Sequence, residues 1–150
     1  MKPGAWMLAL ALAACSGPKP GDVPSIRYGV DPCARCGMAV GEERFASGYV
    51  DGAGRSVVFD DVGEFLQAMA ADPSREPASY VHDAVEGRWL RAGGAYFVRV
   101  PGLATPMGTG WAAFASEPQA RSFGAGFGVK DAPLPLSDAV RAVSGTPKAK

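Results

Sequence analysis

The feature that most constrains the fold is a pattern that occurs twice: a short apolar strand ending in Phe, then a polar cap that opens a helix. Arg55-Ser56-Val57-Val58-Phe59 is short and β-branched. Asp60-Asp61 follows it, and carboxylates at a helix start accept orphan amide hydrogens and suit the dipole. Glu64, three residues after Asp61, fits the spacing of a capping box. Val62, Phe65, Leu66 and Met69 then share one helix face, and Asp72-Pro73 stops the helix. The second copy is Gly110-Trp111-Ala112-Ala113-Phe114, with Ser116 as cap. Pro118 sits early in a helix over 117–123, where its missing amide costs little, and the glycines of 124–128 break it. Aligned on Phe59 and Phe114, residues 57–69 and 111–123 read as an internal repeat. Two unrelated strand–helix joins give the same pattern, because such joins are common. The repeat predicts an α+β chain of two small lobes packed together, dividing near residues 84–88.

The remaining elements are strand material over 37–50 with a turn at Gly41-Glu42-Glu43, and a strand over 78–83. Strands over 88–90 and 95–100 are joined by a Gly93-Gly94 turn, and a last helix over 136–143 has Ser137 as its cap. Ahead of this body, Lys2 and the apolar run from Ala5 to Ala11 have the layout of an export signal and are too short to span a membrane. Leu12-Ala13-Ala14-Cys15 has the form of a lipobox, which predicts signal cleavage after residue 14 and a lipid on Cys15. Ser16 after the Cys favours the outer membrane over the inner. Residues 15–25, rich in Pro and Gly, are expected to be a linker, 26–145 the body and 146–150 a frayed tail. Fifteen basic residues balance fifteen acidic ones, so charge gives no argument for nucleic-acid binding.

The chemistry concentrates in Asp31-Pro32-Cys33-Ala34-Arg35-Cys36-Gly37-Met38. Two thiols and a thioether within six positions are soft donors, suited to Cu(I), zinc or an iron–sulfur cluster. A cluster needs about four thiolates, and only Cys33 and Cys36 remain once Cys15 is lipidated. Structural zinc wants four ligands, and here the fourth would have to be a carboxylate. Cu(I) accepts two or three soft ligands. In an oxidising compartment two other readings stay open: a structural Cys33–Cys36 disulfide, or a thiol–disulfide oxidoreductase. The latter normally places its CxxC at a helix N-terminus, and Gly37-Met38-Ala39-Val40-Gly41 is poor helix sequence. Met107, between Pro106 and Gly108, is badly placed for a core and is a second candidate thioether ligand. His82, the one histidine, is a candidate imidazole ligand, while Met69 fits the helix core. Asp60-Asp61 can also bind metal, although the helix cap explains the pair.

Taken together, these motifs resemble the NosL-type copper lipoproteins, accessory proteins of nitrous oxide reductase maturation. The resemblance rests on the lipobox, on Cys33-Ala34-Arg35-Cys36-Gly37-Met38, on Phe59-Asp60-Asp61 leading into a helix, and on Thr105-Pro106-Met107-Gly108-Thr109-Gly110 leading into Trp111. It implies a non-enzymatic, periplasmic, membrane-tethered Cu(I) chaperone with two ββαβ-like lobes. It points to Cys36, Met38 and Met107 as ligands, with Cys33 and His82 as further candidates. It also implies two partners: an ABC-type membrane complex for copper-centre assembly and, directly or through it, nitrous oxide reductase.

Overall fold

The computed structural model describes residues 17–144, so the lipobox, Cys15 and the tail from 145 onward lie outside the described residues. Two antiparallel sheets carry the architecture. The first contains β1 (Ser47–Val50), β2 (Ser56–Phe59), β3 (Ser79–His82) and β4 (Trp89–Arg91), in the order β2-β1-β3-β4. The second contains β5 (Tyr96–Arg99), β6 (Trp111–Phe114) and β7 (Leu134–Pro135), in the order β6-β5-β7. The helices are α1 (Val62–Ala71), α2 (Glu117–Gly126) and α3 (Leu136–Ser144). In both lobes the first strand is central. Its hairpin partner lies on one side, and the strand reached through the helix lies on the other. Each lobe is therefore a ββαβ unit, as the repeat predicts.

Main-chain register explains how the lobes share a core. Ser47 pairs with both Phe59 and Val81, which sets those side chains on one face of the first sheet. Phe59 and Val81 join Phe65, Leu66 and Met69 of α1, Val140 and Val143 of α3, and Phe97 and Trp111 of the second sheet in a single apolar cluster. The alternate residues of the second sheet, Val98, Ala112 and Phe114, form a separate cluster with Ala120 of α2 and with Phe45. The second sheet is thus covered on both faces, and α1 sits at the seam between lobes. Truncating Phe65, which is wholly buried, is expected to cost about 3–5 kcal/mol.

Several expectations need correction. The apolar positions over 37–50 form a strand only from Ser47; Ala39 makes one isolated bridge to Pro32, and Glu43–Phe45 is a single 3-10 turn. Val40 and Phe45 are buried by loop packing, with no pleat involved. The Gly93-Gly94 turn is part of a 3-10 turn, Ala92–Gly94, that passes from one sheet to the other and joins no hairpin, since β4 pairs with β3. Helix α2 runs through Gly124, where a Cβ would meet Val98 Cγ2 at 3.1 Å; the glycine permits close approach of helix to strand. Helix α3 begins at Leu136, so Ser137 lies inside its first turn and its hydroxyl donates to Asp138.

Residues 17–25, expected as a linker, run along the first sheet. Tyr80 Oη donates to the Gly21 carbonyl at 2.7 Å, and Ser25 N donates to Ser56 Oγ at 2.9 Å. Among the described residues no helix is long and apolar enough to cross a membrane.

Candidate metal centre

The cysteine loop is built by its own backbone. Asp31 accepts from Arg27 N at 2.7 Å and from the Arg27 guanidinium at 2.6 and 2.8 Å, which fixes the entry to the loop. Cys33 N donates to Met38 O at 2.7 Å, and Gly37 N donates to Cys33 O at 2.9 Å. Closing so tight a turn requires positive φ at Gly37 (+77°), which a side chain would resist. Ala34 N donates to the Val58 carbonyl at 2.8 Å, fastening the loop to β2. The loop therefore lies over the join between β2 and α1, with Cys33 buried, Cys36 half-buried and Met38 exposed.

At that join the thiols meet two carboxylates. Cys33 Sγ donates to Glu64 Oε2 at 3.0 Å, and Cys36 Sγ donates to Asp60 Oδ1 at 3.6 Å. Donor atoms from Cys33, Cys36, Asp60 and Glu64 all lie within 4.8 Å of one another. Both thiols are free. Burial pushes the Cys33 thiol up to about 12, with the Glu64 carboxylate adding to the rise. Cys36 is raised for the same first reason, and Glu64 is raised by burial and by the neighbouring Asp60. None of the ion pairs among the described residues involves Asp60, Asp61 or Glu64. Four potential anions therefore converge on a largely buried point, with no ion pair to either carboxylate among the described residues.

The sequence reading placed Glu64 in a capping box, but its carboxylate turns to Cys33. Asp61 alone caps α1, accepting from Gly63 N at 2.7 Å. The available signal was the four-residue spacing of Asp60 and Glu64 at a helix start, which sets two acids on one side.

Asp61 also gathers the Met107 loop. Its Oδ2 accepts from Thr105 Oγ1 at 2.6 Å and from Met107 N at 2.9 Å, and its Oδ1 accepts from Thr109 Oγ1. A Cβ on Gly63 would meet Thr109 Cβ and Oγ1 at 2.5 Å, so the loop rests directly on the first turn of α1. Asp60 and Asp61 are consecutive and their carboxylates diverge, one toward the cysteines and one toward the methionine loop. The Met107 side chain is partly exposed beside this join, at 39%.

His82 is placed elsewhere. In β3 it shares its sheet face with Tyr80 and not with Val81, which faces the main core. Its Nδ1 lies 3.1 Å from the Ala46 carbonyl, its Nε2 lies 3.7 Å from Glu43 Oε1, and its ring stacks on Trp89 with centroids 3.7 Å apart. The structure brings together Cys33, Cys36, Asp60 and Glu64, sets Met38 and Met107 on the two loops around them, and gives His82 other partners.

This geometry defines an α+β scaffold of paired ββαβ lobes carrying a candidate metal site of soft and acidic donors. The chain belongs to the NosL family, whose profile matches residues 28–130, a span that contains both loops and the join between β2 and α1. Among solved structures it is similar to the copper chaperone NosL from Shewanella denitrificans, with a TM-score of 0.64 and 19% identity over 79% of this chain and 96% of that one. At that identity the likeness is one of fold. No curated protein matches in sequence.

Proposed function

We propose that the protein is a non-enzymatic Cu(I) chaperone whose cargo is held by Cys33 and Cys36, with Met38 and Met107 as thioether donors from the flanking loops. The observation that carries this reading is the cluster of two free thiols and two carboxylates within 4.8 Å, with no ion pair to it among the described residues. Thiolate and thioether sulfur suit a cuprous ion. Loading exchanges thiol protons for a metal ion, and the carboxylates stand ready as acceptors for those protons. Met38 and Met107 are partly exposed, so a partner's ligand can attach before one of the chain's own ligands leaves. Release is then governed by partner contact.

By family, the expected recipient is a membrane copper-centre assembly complex and, through it, nitrous oxide reductase. The setting proposed is the periplasm, with attachment through lipid on Cys15. An oxidoreductase fits the site poorly. Its attacking thiol needs a lowered pKa and access, whereas Cys33 is 2% exposed and its thiol is pushed up to about 12.

The test is an anaerobic Cu(I) titration against a chromophoric chelator. The reading predicts one equivalent bound tightly, and a steep loss for Cys36→Ser. Equal affinity in the two proteins contradicts it. The two carboxylates also give the thiols the four-ligand complement that zinc takes, so zinc competition belongs in the same titration.

A further inference from the structure

We propose that Asp61 is the positioning residue that presents Met107 to the metal, and that Gly63 is kept small so that it can do so. The inference rests on the copper reading above and goes beyond it, because Asp61 touches no cargo.

Asp61 is wholly buried, and its two oxygens take four donors: Gly63 N and Thr109 Oγ1 on Oδ1, Thr105 Oγ1 and Met107 N on Oδ2. A carboxylate has about four lone-pair sites, so this one is filled. One donor belongs to the helix it caps, and the other three come from the loop between β5 and β6. A helix cap needs only the first. The other three fix the main chain on both sides of Met107, and one is the Met107 amide itself.

The residue beside Asp61 is Asp60, which faces Cys36. The consecutive pair Asp60-Asp61 therefore ties the thiol loop to the methionine loop, although those loops come from different lobes and lie some seventy positions apart. Gly63 supports the same conclusion independently. An exposed-helix alanine would favour the helix, yet here a Cβ would strike three side-chain atoms of Thr109 at 2.5–2.7 Å. The first turn of α1 is flush with the loop only because position 63 lacks a side chain.

These contacts separate positioning from mere stability. Gly63→Ala alters no metal-donor side chain, keeps the Asp61 cap and adds helix propensity, while wedging Thr109 and the Met107 loop off the helix. Thr109→Val removes one of the three grips without touching the cap.

The experiment uses the tethered-form chain without its lipid, carrying isotope-labelled methionine methyl groups, with one equivalent of Cu(I) added anaerobically. The Met107 signal is assigned by Met107→Leu. In wild type the Met107 methyl is expected to shift on copper addition. In Gly63→Ala, and more weakly in Thr109→Val, copper still binds one to one through the thiols. The Met107 methyl then stays near its metal-free position, and affinity falls about tenfold, the lower end of the effect of outer partners on a metal site. Adding Met107→Leu to Gly63→Ala should cost nothing more, because the interaction is already gone.

A Met107 methyl that still shifts fully in Gly63→Ala, or losses that add in the double variant, overturns the proposal. A wild-type protein that binds copper with no Met107 shift also overturns it, while leaving the thiol site standing. A wild-type protein that binds no copper removes both. Circular dichroism of Gly63→Ala checks that its helix content is retained.

Discussion

Two buried aspartates stitch the lobes together, and only one of them lies beside the candidate metal site. Asp61, ahead of α1, takes its four donors from its own helix and from the Met107 loop. Asp83, just after β3, also takes four: Val85 N, Glu86 N, Ala115 N and Gln119 Nε2, the last two from the β6–α2 join of the other lobe. Both are wholly buried. Both belong to the first lobe and reach into the second, so a saturated buried carboxylate serves as a structural fastening between lobes in this fold. What distinguishes the first join is the chemistry next to it: Asp60 and Glu64 are bonded to thiols, and neither is in an ion pair among the described residues. The β6–α2 join, with Ala115 and Ser116 in the matching place, has no counterpart. Two similar ββαβ units have thus diverged by what their strand-to-helix turns and the loops over them carry.

That contrast can be broken at either end. The largest effect is expected for Cys36→Ser and Cys33→Ser, which should weaken Cu(I) binding by more than the ~10–100-fold that outer-partner changes cost, with little change in thermal midpoint for Cys36→Ser. The chelator titration and a melting curve check this pair of outcomes. Asp83→Ala should do the reverse. It strands buried donors and is expected to cost at least about 2 kcal/mol in urea unfolding, with copper affinity unchanged in the folded fraction. A loss of copper affinity there would erase the distinction between the two aspartates.

Ser116 caps α2 through Gln119 N at 3.4 Å, the one hydrogen bond its side chain makes among the described residues. Ser116→Ala should cost about 1 kcal/mol and leave the metal site untouched. The smallest effect concerns His82, beside Asp83. Burial holds its imidazole below the ordinary value, against the opposing pulls of the Ala46 carbonyl and Glu43. The unfolded chain then takes up the proton first, so stability is full above about 6.5 and is lost as pH falls from there through the lower folded value. Urea unfolding at pH 7.5 and 5.5 should show a steeper decline in wild type than in His82→Gln. Equal declines would contradict a lowered His82 pKa in the folded protein.

The strand–cap–helix repeat was legible because it depends on local rules: β-branched runs, caps and helical spacing around Phe59 and Phe114. The cysteine loop and the exposed setting of Met107 were legible for similar reasons, since Pro and Gly mark turns and a thioether between them has nothing to pack on. Glu64 was not legible as a neighbour of Cys33, because a carboxylate at that helix position has a sufficient local explanation and the thiol is 31 residues away. His82 shows the converse. A lone imidazole suggests a ligand, but its strand register turns it to the face away from α1, a fact set by pairing with β1 and β4. Similarly, Gly124 looks like a helix breaker until Val98 is seen packed against it.

The central claim, that soft sulfur from the two loops holds a single cuprous ion, is tested most directly by X-ray absorption at the copper edge on protein loaded anaerobically with one equivalent of Cu(I). The account predicts an edge typical of Cu(I) and a coordination shell dominated by sulfur, with sulfur lost in Cys36→Ser and again in Met107→Leu. A shell of nitrogen and oxygen alone, unchanged by either substitution, would contradict it.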